Sequence, residues 1–221
     1  MITARLVFRK RFTLIPLIYH SSSHDYCSGS VIHTGTCDTS KVTKVDDALK
    51  VFDEMLHRQP LPSTIEFNKL ITPIIKLKDY TTALTLFKRL NLMGIPANIY
   101  TMNISINCYC RLNQVTYAFA LLATIFKQGH PPTLATYNTL INGLVLADRV
   151  LEAVELFKKL LREKVCEPDQ VTYGVIINGL CKVGETSKAL ELLNFMETGS
   201  SKPRVELYST IIDSLLQRQN G

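Results

Sequence analysis

Apolar side chains recur along the chain with the spacing of one helix face. An alanine is followed three, four and seven residues later by apolar residues, and this set returns every 35 or 36 residues. The five alanines are Ala48, Ala83, Ala118, Ala153 and Ala189. Residues at these intervals lie on one side of an α-helix, so each set predicts an amphipathic helix.

A second apolar series lies between the first and predicts a partner for each helix. It opens with an aromatic residue or a methionine, again at intervals of 35 or 36 residues. These residues are Phe67, Met102, Tyr137, Tyr173 and Tyr208. Prolines separate one pair of helices from the next, at Pro62, Pro96, Pro131 with Pro132, Pro168 and Pro203. Because proline interrupts helices, each unit is predicted to be a helix, a turn, a helix and a stop.

Repeated helical pairs of this length predict an all-α fold, a right-handed α-solenoid in which each pair packs on its neighbours. The predicted complete units are residues 64–98, 99–133, 134–169 and 170–204. A partial unit at 45–63 supplies only a second helix, and one at 205–221 supplies only a first helix. Such an array is expected to leave an apolar face uncovered, which predicts a protein partner, a truncated array or low stability.

The first 24 residues differ in composition from the repeats. They contain Arg5, Arg9, Lys10 and Arg11, no acidic residue and a run of serines, which is typical of an organellar transit peptide. The alternative, a secretory signal, would have only a short apolar stretch interrupted by Pro16. We therefore expect residues 1–40 to be a transit peptide and linker for import into the mitochondrion, with the chloroplast as the alternative.

Overall composition changes this picture little. Of 221 residues, 46% are hydrophobic and 20% are charged, which is typical of folded chains and not of disordered ones. No window approaches the ~20 apolar residues of a membrane-spanning helix, so no membrane span is expected. The formal net charge of +6 owes much to the basic leader, and the mild remainder does not by itself predict binding to a polyanion.

Candidate catalytic and metal-binding residues are few. The repeats contain Cys108, Cys110, Cys166 and Cys181, with no Cys and His at zinc-ligand spacing, and we expect buried, reduced thiols. The sequence lacks a phosphate-binding glycine loop, a dinucleotide fingerprint and a metalloprotease motif. It therefore predicts neither an enzyme nor a bound cofactor or metal.

Three segments of the repeats resemble a known family. Residues 136–144 are TYNTLINGL, residues 171–185 are VTYGVIINGLCKVGE and residues 189–196 are ALELLNFM. With the 35-residue period, they resemble pentatricopeptide repeats over about residues 45–221. Units of 35 or 36 residues throughout resemble the pure (P) class of plant members. The segment 46–70, DDALKVFDEMLHRQPLPSTIEFNKL, resembles the restorer-of-fertility-like branch.

This resemblance implies binding of single-stranded organellar RNA, one base per repeat, in support of mitochondrial RNA processing, stability or translation. The fifth residue of a unit would face the base edge, the last would complete the base reading, and the second would pack on the base. The fifth residues are Asn68, Asn103, Asn138 and Gly174. The last residues are Asn98, Thr133, Asp169 and Arg204. The second residues are Ile65, Tyr100, Ala135 and Val171.

The chemistry of these side chains predicts a pyrimidine-rich target. An asparagine amide can both donate to and accept from a base edge, whereas a carboxylate only accepts. Asn138 with Asp169 should therefore favour uracil, which carries N3–H, over cytosine, which does not. The first two units should accept either pyrimidine, and Gly174 with Arg204 should impose no base choice.

Simpler interpretations exist for the same residues. Asn98, Thr133 and Asp169 follow a proline-containing breaker and precede a helix, where these residue types are favoured N-caps. The three recurring asparagines are harder to explain in this way, because asparagine is unfavourable within a helix unless it binds something. For the whole array, the alternatives are a scaffold that binds proteins and a truncated family member with little affinity for RNA.

Overall fold

The computed structural model describes residues 44–199 and 202–219, which form ten helices and no strand. The helices are α1 (Val45–Leu56), α2 (Thr64–Lys76), α3 (Tyr80–Leu92), α4 (Ile99–Arg111), α5 (Val115–Lys127), α6 (Leu134–Leu146), α7 (Val150–Glu163), α8 (Gln170–Lys182), α9 (Thr186–Thr198) and α10 (Val205–Gln219). We call the even-numbered helices the first helices of the units and the odd-numbered ones the second helices. The predicted transit peptide and linker lie outside the described residues.

Each helical pair buries the apolar stripes that its sequence predicts. All five alanines of the second helices, from Ala48 to Ala189, are fully buried. In the first helices, Phe67 and Tyr173 are buried, as are Met102 and Tyr137 at the equivalent positions. Each of the helices α2, α4, α6 and α8 contacts the second helix of its own unit and the first helix of the next. The predicted fold, an all-α solenoid of repeated helical pairs, is confirmed for the described residues.

The turns inside the units depend on residues with a left-handed backbone. The residues that follow α2, α4, α6 and α8 have φ angles between 57° and 76°, and they are Lys78, Asn113, Asp148 and Gly184. Asparagine, aspartate and glycine adopt this conformation more readily than other residues. After α4, α6 and α8, the turn therefore depends on a residue that adopts the left-handed conformation readily, and no proline is needed to end the helix. Gly94 and Gly129 adopt the same conformation after second helices.

Small residues let neighbouring first helices approach closely. A Cβ atom at Gly143 in α6 would overlap Sγ of Cys110 in α4 and would lie 2.6 Å from the Cβ atom of that residue. Similarly, a Cβ atom at Gly179 in α8 would lie 3.0 Å from Cγ2 of Val145 in α6. Any larger residue at Gly143 must therefore push α6 away from α4 or displace Cys110.

The described cysteines are free thiols, but only two of the four are buried. Cys108 and Cys110 lie in the core, and burial raises the pKa of their thiols to about 12 and about 11. Both thiols are therefore protonated at neutral pH. The expectation of burial is wrong for Cys166 and Cys181, which are only partly buried. Cys166 lies in the loop between α7 and α8, and Cys181 lies in the last turn of α8.

Helix α10 is buried on one side only. Leu207 and Ile211 lie in the core, where they join the apolar cluster of α8 and α9. The exposed apolar side chains of this helix are Val205, Tyr208, Ile212, Leu215 and Leu216. Within residues 44–199 and 202–219, no helix has both the length and the hydropathy needed to cross a membrane.

Replacing Gly143 with alanine is expected to lower the free energy of unfolding by about 1–3 kcal/mol, the usual cost of overpacking a core. Gly174→Ala is the matched control, because a Cβ atom there would meet only Cδ2 of Leu207, at 3.5 Å. Since alanine favours a helix over glycine, the control should gain about 0.5–1 kcal/mol. Urea denaturation followed by circular dichroism measures both. Equal stability of the Gly143→Ala variant and the parent would contradict the close packing of α4 and α6.

Candidate nucleic-acid interface

The side chains implied in base packing are exposed at the start of the first helices. Ile65, Tyr100 and Val171 expose 60%, 57% and 59% of their surface, and Ala135 is also exposed. Each is the second residue of α2, α4, α6 or α8. Their shared position in successive units places an apolar contact of varying size at each unit.

A cleft opens between two of these exposed side chains. Its volume is about 380 Å³, and it is lined by Ile65, Asn68, Lys69, Thr72, Asn98 and Tyr100. These residues belong to α2 and to the start of α4, so the cleft lies where the first two complete units meet. A tyrosine ring can stack on a nucleobase, and amide groups can bond to the base edge. The lining is therefore suited to a base.

The last residue of each of the first three units caps the first helix of the next unit. Oδ1 of Asn98 accepts a hydrogen bond from the backbone N–H of Thr101 at 2.8 Å. Oδ1 of Asp169 accepts one from the backbone N–H of Thr172 at 2.9 Å. Thr133 caps α6 in the same way. Capping does not exclude base reading, because the capping bonds reach only Oδ1 of Asn98 and of Asp169 and leave the second polar atom of each side chain for other partners.

At the junction of the third and fourth units, the two predicted reading residues contact each other. Nδ2 of Asn138 donates to Oδ1 of Asp169 at 3.2 Å, and Oδ1 of Asn138 accepts from the Thr172 hydroxyl at 2.7 Å. Burial raises the pKa of Asp169, but hydrogen bonds from Thr172 and Asn138 outweigh burial and hold this pKa below its usual value. Asp169 is therefore an ionised acceptor at neutral pH, beside an amide that can donate.

At the two preceding junctions a threonine joins the reading residues. The hydroxyl of Thr101 accepts from Nδ2 of Asn68 at 2.9 Å and donates to Oδ1 of Asn98 at 3.0 Å. The hydroxyl of Thr136 donates to Oδ1 of Asn103 at 2.8 Å and lies 3.1 Å from the hydroxyl of the cap residue of α6. Asn68 exposes only 3% of its surface, whereas Asn103 is partly exposed. Asn68 therefore faces the cleft from a nearly buried position.

The last junction has none of these polar contacts among the residues that the structure describes. Gly174 has no side chain, and Arg204 is exposed. Leu207 is buried at the position that threonine occupies in α4, α6 and α8. Its Cδ2 atom would lie 3.5 Å from a Cβ atom at Gly174. The fold does not join the fourth predicted pair, Gly174 with Arg204.

The threonines that join the pairs were not predicted from the sequence. Thr101, Thr136 and Thr172 expose 3%, 0% and 0% of their surface, and each is the third residue of its helix. Their recurrence at intervals of 35 and 36 residues was a visible signal. Lys69, which lines the cleft, was not predicted either, and it gives no such signal because lysine does not recur at this position.

Models of known repeats match most of the repeated region. One model, described as the PPR repeat family, matches residues 97–146, 132–182 and 168–217. A second model, described as the PPR repeat, matches residues 40–59. A putative mitochondrial pentatricopeptide repeat-containing protein of Arabidopsis thaliana is 43% identical over 135 residues, which cover 61% of this chain and 22% of that protein. The chain thus matches less than a quarter of the length of that relative.

Two solved structures are similar in fold. The pentatricopeptide repeat protein PPR10 from maize, in complex with an 18-nt psaJ RNA element, matches 79% of this chain and 26% of its own chain. The TM-score is 0.68 and the sequence identity is 23%. The nuclear protein-only RNase P 2 of Arabidopsis thaliana matches 82% of this chain and 40% of its own, with a TM-score of 0.64 and 14% identity. At these identities the likeness shows a shared helical-repeat fold.

Replacing Asp169 with asparagine is expected to lower the melting temperature by a few degrees at neutral pH and to have little effect in acid. Because the pKa of Asp169 in the folded chain lies below its ordinary value of 3.8, the carboxylate stabilises the fold fully above that value. This stabilisation is lost as the pH falls through the folded-state pKa. Melting curves of variant and parent across this range measure the difference. A gap in melting temperature that stays constant into acid would show that the charge contributes nothing.

Proposed function

Because the chain belongs to the pentatricopeptide repeat family, we propose that it binds single-stranded RNA in the mitochondrion, with one base held by each unit. The proposed complete units are residues 64–98, 99–133, 134–169 and 170–204, with partial units at 45–63 and 205–221. The uniform spacing of 35 or 36 residues supports the pure class of the family. The segment 46–70 supports the restorer-of-fertility-like branch.

The observation that carries this proposal is the row of joined polar pairs along the first helices. At each of the first three junctions, the fifth residue of a unit is joined to the last residue of that unit, directly or through a threonine. The exposed second residues lie in the same helical turns. Polar pairs and exposed apolar side chains that recur along the array suit a single-stranded polymer with regularly spaced bases.

The third unit carries the strongest base choice in this proposal. Asp169 is ionised, and the hydrogen bonds from Thr172 and Asn138 all reach Oδ1, so Oδ2 is the oxygen offered to N3–H of uracil. Cytosine would present a lone pair at N3 instead. The neutral pairs of the first two units accept either pyrimidine, and Gly174 in the fourth unit imposes no choice. The proposed core is pyrimidine, pyrimidine, uracil and then any base, 5′ to 3′.

The proposed mechanism is binding without catalysis. RNA held extended along the first helices would be protected from nucleases and from refolding, or marked for other factors, which supports processing, stability or translation. The Arabidopsis relative is named as a mitochondrial protein, and the acid-free basic leader of this chain supports the same location. A core of three bases recurs often among transcripts, so further contacts would be needed to select a single one.

Replacing Asn138 and Asp169 together with alanine is expected to reduce the preference for uracil over cytosine at the third base by about tenfold. A well-placed pair of hydrogen bonds to a base contributes ~1–3 kcal/mol of discrimination. The measurement is the Kd of the full chain for two labelled RNAs that differ only at this base.

The matched control for that double variant is Asp79→Ala. Asp79 caps α3, a second helix, by accepting from the backbone N–H of Thr82 at 3.0 Å. Its loss should lower the melting temperature and leave the base preference unchanged. An equal preference for uracil in the double variant and in the parent would show that Asn138 and Asp169 do not read the base.

A further inference from the structure

We propose that Thr172 is a positioning residue that fixes the orientation of the Asn138 amide, so that the base choice of the third unit depends on the first helix of the fourth. This inference rests on the proposed RNA binding and adds a third residue to the reading pair. Thr172 is the third residue of α8, and its side chain is fully buried. It would therefore act on the base through Asn138 and Asp169, without touching RNA.

The single proton of the Thr172 hydroxyl has two acceptors within reach. Oδ1 of Asn138 lies 2.7 Å away and Oδ1 of Asp169 lies 2.8 Å away. The Asp169 oxygen already receives the backbone N–H of Thr172 at 2.9 Å and Nδ2 of Asn138 at 3.2 Å. Among the described residues, Oδ1 of Asn138 has no other donor. The hydroxyl proton is therefore assigned to Asn138, because it gives the partly buried carbonyl oxygen its one donor, whereas the Asp169 oxygen already has two.

This proton fixes which end of the amide faces the RNA. With Oδ1 of Asn138 bonded to Thr172 and one N–H bonded to Asp169, the remaining N–H is the group left for a base. Rotating the amide by half a turn would place its carbonyl oxygen against the Asp169 carboxylate, which repels it. Thr172 and Asp169 thus hold one orientation together, and a valine at position 172 would remove half of that restraint.

The first junction shows the same device with a neutral cap. There the Thr101 hydroxyl accepts from Nδ2 of Asn68 at 2.9 Å, and its proton has two acceptors within reach, Oδ1 of Asn98 at 3.0 Å and Oδ1 of Asn68 at 3.2 Å. At the second junction, where the cap is a neutral threonine, the Thr136 hydroxyl donates to Oδ1 of Asn103 at 2.8 Å. A buried threonine therefore lies within hydrogen-bond distance of both the cap residue and the reading asparagine at each of the first three junctions.

The fourth junction lacks both partners at once. Gly174 replaces the asparagine and Leu207 replaces the threonine, and a Cβ atom at Gly174 would be in van der Waals contact with Cδ2 of Leu207. A threonine hydroxyl buried there would have no asparagine to bond. The joint change is expected if the two residues form one functional pair across the junction.

The test measures the ratio of affinities of the full chain for RNAs with uracil or cytosine at the third base. Thr172→Val removes the hydroxyl with little change of shape and should lower this ratio by about three- to tenfold, the effect of losing one neutral hydrogen bond. Thr172→Ser keeps the hydroxyl and should keep the ratio within about twofold of the parent. In an Asn138→Ala background, Thr172→Val should cause no further loss, because its effect acts through that amide.

Thr186→Val is the control for general loosening of the fold. Thr186 is 1% exposed in α9, and its hydroxyl lies 2.9 Å from that of Ser214. Its replacement removes a buried hydroxyl hydrogen bond away from the reading row, so the melting temperature should fall while the ratio stays unchanged. A fall of the ratio in this control equal to that in Thr172→Val would overturn the inference.

A gain-of-function arm tests the same idea without relying on the stability of the Thr172→Val variant. Gly174→Asn with Arg204→Asp should create little preference at the fourth base, and adding Leu207→Thr should raise the preference for uracil there by about threefold or more. Equal preference with and without Leu207→Thr would overturn the inference, as would an unchanged third-base ratio in Thr172→Val. A parent chain that binds no RNA would overturn the proposed function. A parent chain that binds RNA but does not discriminate uracil from cytosine would overturn only the base-reading assignment. The inference about Thr172 fails in both cases.

Discussion

The distance between neighbouring first helices is the constraint on which the rest of this structure depends. Gly143 allows α6 to approach α4 so closely that a Cβ atom would lie 2.6 Å from that of Cys110. Gly179 plays the same part between α8 and α6. A reading residue and the threonine of the next unit can share a hydrogen bond of 2.7–2.9 Å only if successive helices keep such a distance. Packing in the core therefore sets the geometry of the polar row on the surface.

The polar row joins stability and base recognition in the same atoms. Asn98 and Asp169 end one unit, cap the first helix of the next and contribute to the predicted reading pairs. A buried threonine lies between the cap residue and the reading asparagine. The cap residue, which accepts a backbone N–H at the start of the helix, is therefore also part of the contacts that orient the asparagine amide. Each base is thus expected to be read across two units, and the chemistry of one unit cannot be exchanged independently of its neighbour.

The helical pairs could be predicted because the alanine-led stripe is a local pattern, set by 3.6 residues per turn and repeated five times. The close approach at Gly143 could not, since glycine within a helix gives no sign of the cysteine that faces it. The burial of Asn68 depends on Thr101, which lies 33 residues later in the chain. The partial exposure of Cys166 depends on its place in a loop, whereas residue type alone favoured burial. The helices and the candidate residues could thus be predicted from the sequence, whereas the contacts between units become visible only in the folded structure.

The most direct test of RNA reading is binding of the full chain to short single-stranded RNAs at two salt concentrations. One set carries a core of two pyrimidines and a uracil, and the other carries purines. Base reading predicts a preference for the pyrimidine core that persists at the higher salt, while overall affinity falls as phosphate contacts weaken. A chain that is helical by circular dichroism yet binds neither RNA, or binds both equally, would contradict it.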